Sequence, residues 1–436
     1  MTFLSTATDI RSSAFTRGRP RATTLADGLH LGWLTTVDLT KAYLARIDEA
    51  SDFNAVLQIN PDALSAAQKL DEERKTGTSR GPLHGIPILV KDNIVTADNL
   101  DASAGSFALL GAKPSNESSL IAKLRKAGVL ILGKTNMSEW ANFRGLSISS
   151  GWSPRGGQTM GAYYPNSTPE GSSSGSAVAT ALGLSTAAIG TETFGSILEP
   201  AEFNNVVGLK PSRGLIANDS VIPISARKDV IGTLSQAGAK VVDANFKEAE
   251  GFKKLNQQIR GIVRSSEFKR DIDIIEFTKT FPGEEYPDRD IGKFLWTQEE
   301  GIDVDSDKYH EMVRQEQFYG GAGGILGAME TYNLDLLVVP SSLGIANDLA
   351  AKMGFPVMGV PLGFYPEGTP IELDKNEPHL VRVAPRVPYS LTLISKAFSD
   401  GVLIQVGYAF EQLSSVRRNG PLQFKSPSTE LRRVSS

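Results

Sequence analysis

The spacing of apolar residues predicts helices that alternate with short buried strands. In VDLTKAYLARIDEA, Leu39, Tyr43 and Ile47 recur one turn apart, which predicts a helix with one apolar face. Thr36 is predicted to cap this helix, and a second helix, in ESSLIAKLRKAG, is predicted to stop at Gly128. Apolar runs predict buried strands at residues 86–90, 129–132, 185–191 and 334–340. This alternation predicts an α/β fold with a largely internal sheet.

The charge pattern gives only weak evidence for separate domains. Residues 246–317 are rich in charge, as in KRDIDIIEF, which predicts solvated helices in a peripheral region. There is no internal repeat and no clear linker, so a single domain is predicted over residues 24–425. The remaining residues are predicted to form a poorly ordered N-terminal segment, 1–23, and a tail, 426–436.

Composition narrows the possible chemistry and partners. The chain has 436 residues, of which 40% are hydrophobic, so it can bury a sizeable core. Its formal net charge of -4 gives no basic surface for nucleic acid, which is not expected as a partner. The absence of cysteine excludes disulfides and thiolate chemistry, and the four histidines are scattered, so neither a metal site nor a cofactor is expected. Catalysis would use hydroxyls, carboxylates or lysines.

No part of the sequence predicts a membrane anchor. No apolar run approaches the roughly 20 residues that a membrane span requires. The N-terminal stretch lacks the basic-then-apolar order of a secretory signal. Its Arg and Ser content, with Asp9 as its single acid, leaves a transit peptide as an alternative. The expected location is the cytoplasm, and the oligomeric state is unknown.

Lys91 is a candidate general base. It follows the predicted strand 86–90, at the carboxyl end, where open α/β sheets place ligands. Loss of hydration there favours the neutral amine, which can accept a proton. The simpler alternative is an ion pair with the adjacent Asp92. Lys134, after the strand VLIL, is a second possible base, whereas His84 in the turn LHG is more simply explained as a structural hydrogen-bonding residue.

Ser196 is a candidate nucleophile. In IGTETFGSILEPAEF a predicted strand ends at Thr191, and a glycine-containing turn presents the serine. Backbone N–H groups in such a turn can converge on an oxyanion, and a serine at its end can attack a carbonyl group. Gly-Ser turns are common, however, and no histidine lies near in sequence to deprotonate this serine. The turn alone is therefore a weak indication.

Five motifs occur in a fixed order along the chain. They are GPLHGIPILVKDNI (81–94), ILGKTNMSEWANFRG (131–145), GSSSGSA (171–177), GTETFGSI (190–197) and VVGLKPSRG (206–214). Together they resemble the amidase signature family, and its peptide-amidase branch in particular, over roughly residues 24–420. The resemblance implies a mixed, mostly internal β-sheet sandwiched between α-helices. It also implies that PEGSSSGSAV, which has the composition of a flexible linker, is a tight loop leading into a packed helix.

The resemblance implies amide hydrolysis by a Ser-Ser-Lys triad through an acyl-enzyme intermediate. Ser196 matches the nucleophile of the family. Ser172 matches the bridging serine, whose preceding peptide bond is cis in the family, and Lys91 matches the base. The expected substrate is a small-molecule amide.

The same resemblance implies supporting roles for residues around the triad. The backbone at Thr193, Phe194 and Gly195, together with that of the nucleophile, is expected to form the oxyanion hole and bind substrate. Ser173 and Glu192 are expected to hydrogen-bond to the proton relay.

Competing motifs have weaker support. GSSSG also fits the nucleophile-elbow pattern around Ser173, with His379 downstream, but such an elbow follows a strand directly and YYPNSTPE does not predict one. The S-x-x-K pattern at 225–228 and 266–269 lies in charged sequence and is explained by chance. No phosphate-binding G-x-x-x-x-G-K-[ST] occurs.

The chain also departs from the family. Phe194 stands where a glycine or aspartate is usual and is expected to narrow the pocket. Leu198 and Glu199 follow the nucleophile where the family has a different pattern, and Glu199 places a carboxylate at an apolar position. That carboxylate is expected to be exposed, to find a partner or, if buried alone, to become protonated.

A larger departure begins at Gly232. The family pattern continues through VIPISARKDVIG and then passes directly to AGAKVVD, so a helix and a strand of the family are missing. Their loss is expected to expose apolar surface on neighbouring elements, at about 25 cal/mol per Å².

Three functions remain open. The first is a serine amidase acting on carboxylic or peptide amides, that is, on C–N bonds other than peptide bonds. The second is a catalytically silent or truncated amidase-fold protein that acts in binding. The third is the amidase subunit of an amidotransferase, which is disfavoured because no docking extension is evident.

Overall fold

A computed structural model of the chain describes residues 25–112, 114–225, 230–234, 246, 248–259, 261–271, 274–342 and 344–430. The helices are α1 Leu25–His30, α2 Thr36–Glu49, α3 Ala63–Lys75, α4 Ser119–Lys126, α5 Ser174–Ala181, α6 Leu198–Phe203, α7 Ala249–Ile259, α8 Ile262–Asp271, α9 Ile275–Thr280, α10 Gly292–Glu300, α11 Asp307–Gly320, α12 Leu326–Thr331, α13 Ile345–Met353, α14 Asp400–Ser414 and α15 Val416–Asn419. The strands are β1 Val56–Ile59, β2 Pro87–Lys91, β3 Leu130–Thr135, β4 Trp152–Ser153, β5 Gly157–Gln158, β6 Ala188–Glu192, β7 Gly208–Lys210, β8 Val230–Leu234, β9 Leu336–Pro340, β10 Val357–Phe364, β11 Glu372–Leu373, β12 Val381–Val383 and β13 Pro388–Ser395.

One mixed sheet organises the described residues. Its nine strands lie in the order β1-β3-β2-β6-β8-β7-β10-β13-β9. Strand β2 runs parallel to β3 and to β6, and the other neighbouring pairs are antiparallel. Helices α2, α3 and α5 pack against the β1 to β6 end of this sheet, and α14 packs against β10 and β13. The predicted α/β fold with an internal sheet is confirmed.

The apolar runs in the sequence form the centre of this sheet. Every residue of β2, β3 and β6 is buried. Leu89, Val90, Ile131 and Leu132 are fully inaccessible and belong to one apolar cluster. Burying such a side chain contributes roughly 1.5–3 kcal/mol, which explains why these segments contain no polar alternation. The strands therefore provide a rigid base for the residues at their carboxyl ends.

Helix α2 follows the predicted apolar face, but its N-cap lies one residue earlier than predicted. Thr35, and not Thr36, is the N-cap, and it forms a capping box with Asp38. The N–H of Thr36 instead donates a 2.7 Å hydrogen bond to Asp71 of α3. A tertiary contact thus selects which of two adjacent threonines caps the helix.

Helices α7 to α11 occupy most of the region predicted to be charged and peripheral. Several of their apolar side chains are nevertheless buried, including Phe252, Phe268 and Phe294. The rings of Phe268 and Phe294 are stacked 5.7 Å apart, and both meet the edge of Trp140. This region therefore packs onto the segment that carries the second motif.

Strand β8, which contains Gly232, lies between β6 and β7 and is antiparallel to both. It supplies the continuity of the sheet where the sequence departs from the family pattern. The predicted N-terminal segment, residues 235–245 and the last six residues of the predicted tail lie outside the described residues.

Candidate active site

Lys91 ends strand β2 and is fully buried. Its Nζ donates hydrogen bonds to Ser172 Oγ at 2.7 Å, to Ser173 Oγ at 3.0 Å and to the carbonyl oxygen of Thr191 at 3.2 Å. The amine thus lies between the end of β2, the serine loop and the end of β6. Its position allows proton exchange with a hydroxyl away from bulk water.

Ser172 and Ser173 lie immediately before α5 and are both fully buried. The Gly171–Ser172 peptide bond is cis. In the first turn of α5, a β-carbon on Gly175 would lie 2.2 Å from the carbonyl oxygen of Ala55. The glycine is therefore required for the close approach of the helix to β1. The segment with the composition of a linker is a tight loop and a buried helix.

Ser196 lies in the turn between β6 and α6 and is 6% exposed. Gly195 precedes it with φ of +73°, a left-handed conformation that favours glycine. The N–H of Ser173 donates a 2.9 Å hydrogen bond to the carbonyl oxygen of Ser196. Through this bond, the structure brings the predicted nucleophile beside the loop that contacts Lys91.

Glu192 braces the nucleophile turn from within. Its Oε2 accepts hydrogen bonds from the N–H groups of Ile197 at 2.8 Å and Leu198 at 3.2 Å, at the start of α6. Burial raises the pKa of Glu192, and the nearby ammonium of Lys210 together with backbone N–H groups, including that of Gly195, opposes this shift. Glu192 therefore holds the turn rather than contacting the proton relay directly.

The three residues predicted to form the oxyanion hole lie between Glu192 and the nucleophile. Thr193 and Gly195 are buried, whereas Phe194 is partly exposed. Phe194 is thus the accessible residue of the three. The Gly195 N–H is directed at Glu192.

Asn93 is a site residue that the sequence reasoning missed. Its Nδ2 donates a 3.0 Å hydrogen bond to Oγ1 of Thr191, and it is buried. The carbonyl oxygen of Thr191 in turn accepts hydrogen bonds from Lys91 and from the hydroxyl of Ser173. The sequence signal that could have identified Asn93 is its position two residues after Lys91, in the motif VKDN. Asn93 therefore orients a residue whose carbonyl oxygen accepts a hydrogen bond from Lys91.

Asp92 and the other candidate base have structural partners. Asp92 Oδ2 accepts hydrogen bonds from Ser103 and Gly105, and Oδ1 lies 3.6 Å from Arg155. Lys134 is buried and donates to the carbonyl oxygen of Ile94. Desolvation lowers the pKa of Lys134 to about 8.

His84 packs where α4 ends. Its Nε2 lies 2.8 Å from the carbonyl oxygen of Leu70, and its Nδ1 accepts from the N–H of Arg80. A β-carbon on Gly128, which has φ of +81°, would lie 2.9 Å from Cα of His84. The histidine therefore has the surroundings of a structural residue.

The described residues of the two S-x-x-K motifs have hydrogen-bond partners away from Lys91. Ser266 Oγ donates to the carbonyl oxygen of Ile262 in its own helix, and Lys269 donates to the carbonyl oxygen of Gln298. Ser225 Oγ donates to Glu267. Lys228 lies outside the described residues.

Leu198 and Glu199, which depart from the family pattern after Ser196, have different surroundings. Leu198 is fully buried in an apolar cluster with Val357 and Ile394. Glu199 is partly exposed. Burial, followed by the negative charges of Glu170 and Glu192, raises the pKa of Glu199 well above its usual value. The expectation that this carboxyl group would become protonated describes it better than full exposure.

Two further tests concern metals and membranes. Among the residues that the structure describes, no group of three or more His, Cys, Asp or Glu side chains could hold a metal ion. Over the same residues, no helix has both the length and the apolar content of a membrane span.

Comparisons with known proteins identify the family. The family model described as Amidase matches residues 38–254. A protein of Arthroderma benhamiae described as an amidase is 33% identical, in an alignment that covers 90% of this chain and 85% of the relative. The chain belongs to the amidase signature family. The alignment extends over 508 positions, more than this chain has residues, so the relative contains positions that this amidase family member lacks.

The same family relationship appears in solved structures. The peptide amidase from Stenotrophomonas maltophilia is 31% identical, with a TM-score of 0.77 over 91% of this chain and 97% of the other. The A subunit of the glutamyl-tRNA(Gln) amidotransferase from Chloroflexus aurantiacus is 39% identical, but over 48% of this chain and 42% of the relative. The predicted family is thus confirmed, and the amidotransferase likeness is partial.

Proposed function

We propose that this chain hydrolyses amides with Ser196 as nucleophile, Ser172 as proton relay and Lys91 as base. The observation that carries the proposal is the buried 2.7 Å contact between Nζ of Lys91 and Oγ of Ser172. One residue further on, Ser173 is joined by its backbone to Ser196. Membership of the amidase family supports amide hydrolysis as the reaction.

The partners of the amine can also accommodate its neutral form. A neutral amine has two N–H groups and one lone pair. Donation to Ser173 Oγ and to the carbonyl oxygen of Thr191 uses both N–H groups. The lone pair then faces the hydroxyl of Ser172, which becomes the donor. Lys91 in this state is ready to accept a proton.

The reaction then proceeds in two halves. As Oγ of Ser196 bonds to the substrate carbonyl carbon, its proton passes to Ser172 and the proton of Ser172 passes to Lys91. When the tetrahedral intermediate collapses, the C–N bond breaks and the proton returns through Ser172 to the leaving nitrogen. Water then attacks the acyl-enzyme by the same proton path in reverse, which releases the acid and restores Ser196.

Backbone N–H groups of the nucleophile turn stabilise the negative oxygen of the intermediate. The turn is rigid because Glu192 holds the start of α6 and Gly195 adopts its left-handed conformation. Since the Gly195 N–H is directed at Glu192, the stronger candidates are those of Thr193, Phe194 and Ser196.

The proposed substrates are small carboxamides or amidated peptides, cleaved at a C–N bond other than an internal peptide bond. The likeness to the Stenotrophomonas maltophilia peptide amidase over 91% of this chain supports this class. The partly exposed Phe194, two residues before Ser196, favours compact acyl groups.

A fluorophosphonate probe tests the proposal directly. The intact protein is incubated with the probe, digested and analysed by mass spectrometry. We expect the label on Ser196, and none there in Ser196→Ala of equal circular dichroism. Ammonia release from a panel of carboxamides supplies the second readout. Folded protein that neither takes the label nor releases ammonia would contradict the proposal.

The same experiment distinguishes this proposal from the alternative that the chain is a catalytically silent amidase-fold protein that acts in binding. Phe194 and Glu199 beside the nucleophile favour that alternative, because they alter the approach to the serine. Tight binding of amides without labelling or turnover would support it.

A further inference from the structure

In the segment from Ser172 to Glu202, which contains the proposed nucleophile, two residues are partly exposed. Every residue from Ser172 to Glu202 is buried except Phe194 and Glu199. Both lie within three residues of Ser196. These two residues are therefore the accessible part of the segment beside Ser196, and they are also two of the three positions at which the segment departs from its family.

The carboxyl group of Glu199 folds back over the turn. A β-carbon on Gly195 would lie 2.2 Å from Oε1 of Glu199 and 2.7 Å from its Cδ. The N–H of Glu199 also donates a 2.8 Å hydrogen bond to the carbonyl oxygen of Gly195. The carboxyl group consequently lies against the residue that immediately precedes the nucleophile.

Negative charge exceeds positive charge around this carboxyl group. Glu170, two residues before Ser172, is paired with Arg382. Glu202, on the next turn of α6, accepts hydrogen bonds from serine hydroxyls. Burial raises the pKa of Glu199, Glu170 and then Glu192 add to this shift, and Arg382 opposes it. A second cation beside Glu199 would relieve this repulsion.

We propose that Glu199 selects amides that carry an ammonium group on the acyl side of the scissile bond. The inference rests on the proposed function, because it concerns the approach to Ser196. On binding, the substrate ammonium would favour loss of the Glu199 proton to solvent and would pair with the resulting carboxylate while the carbonyl carbon lies at Ser196. A neutral apolar acyl group would offer this desolvated carboxyl group no such partner.

Matched amide pairs test the selection. In each pair a methyl group replaces the ammonium group: glycinamide against propanamide, and 4-aminobutanamide against pentanamide. We expect the wild type at pH 7 to prefer the ammonium member of at least one pair by about tenfold in kcat/KM, as for a hydrogen bond to a charged group. In Glu199→Gln this preference is expected to disappear, through a higher KM for the ammonium amide. Glu311→Gln, which removes an exposed carboxylate on α11, is expected to keep it.

Binding to Ser196→Ala separates this inference from the proposed function. Calorimetry with the same amide pairs needs no turnover. Tighter binding of the ammonium amide by about tenfold, lost in Ser196→Ala/Glu199→Gln, would uphold the selection even if the wild type released no ammonia. Equal affinity within both pairs, or a preference that survives Glu199→Gln, would overturn it.

Discussion

The backbone N–H of Ser173 donates a hydrogen bond to the carbonyl oxygen of Ser196, 2.9 Å away, which joins the loop before α5 to the turn after β6. The side chain of Ser173 has separate partners, since its hydroxyl accepts from Lys91 and donates to the carbonyl oxygen of Thr191. One residue thus contacts the turn of Ser196 through its backbone and Lys91 through its side chain. The two contributions can be separated, because a side-chain substitution leaves the backbone bond in place.

Lys91→Met removes the proposed base without emptying its site. We expect kcat to fall by about 10³-fold, within the usual range for loss of a general acid-base group. The thermal midpoint is expected to stay the same or rise, because an apolar chain of similar length replaces a desolvated amine. Kinetics and thermal unfolding check both results. A variant that retains most of its activity would remove Lys91 from the mechanism.

Ser172→Ala and Ser173→Ala distinguish the relay from its support. Alanine at position 172 interrupts the proposed proton path, so kcat is expected to fall by about 10²–10⁴-fold. Alanine at position 173 keeps the backbone bond to Ser196 and removes one partner of Lys91, so a smaller loss is expected. The rate of fluorophosphonate labelling provides the comparison. Equal losses in the two variants would argue against a specific relay through Ser172.

The fold was largely predictable because its central strands begin with apolar runs. The run before Lys91 and the run 129–132 became β2 and β3, with shifts of one to three residues at their ends. The cap of α2 was predicted one residue late. Thr35 and Thr36 have equal capping chemistry, and the contact of Thr36 with Asp71 that separates them joins positions 35 apart in sequence.

The site was predictable only where residues belong to motifs. Lys91, Ser172 and Ser196 were named from their motifs, although 81 positions separate the first two. Asn93 was missed because its role depends on Thr191, 98 positions away. The sequence also could not predict where the side chain of Glu199 points, because this depends on how the turn at Gly195 folds.

Gly195→Ala is expected to distort the nucleophile turn. Its φ of +73° is unfavourable for alanine, and the new β-carbon would lie 2.2 Å from Oε1 of Glu199. We expect the free energy of unfolding to fall by about 1–3 kcal/mol, with a large loss of kcat. Urea unfolding and kinetics measure these effects.

Gly214→Ala is the matched control for Gly195→Ala. Gly214 has φ of +87°, but a β-carbon there would meet no heavy atom within 4 Å. It is expected to lose about 1 kcal/mol of stability and little activity. Gly195→Ala/Glu199→Ala should recover part of the stability, and no recovery would place the clash elsewhere.

Asn93→Ala tests the positioning of the base through Thr191. Without the 3.0 Å hydrogen bond from Asn93, the carbonyl of Thr191 is less firmly held against Lys91. We expect kcat to fall by up to about 100-fold with little change in KM, since a displaced catalytic group affects the chemical step. Asn99→Ala, which removes an exposed hydrogen bond to Asp62, is the control. A change in thermal midpoint alone would indicate a structural role for Asn93.

Lys134 should make the stability of the protein rise in mildly alkaline solution. Burial lowers the pKa of Lys134 to about 8, so between pH 8 and pH 10 the unfolded chain binds more protons than the folded one, and the free energy of unfolding increases with pH. The gain from one such lysine is at most about 3 kcal/mol. Urea unfolding at pH 8 and pH 10 should therefore show a smaller rise in Lys134→Met than in the wild type, whereas Lys253→Met, at an exposed site, should keep the full rise. An unchanged rise in Lys134→Met would show that this amine is not the titrating group.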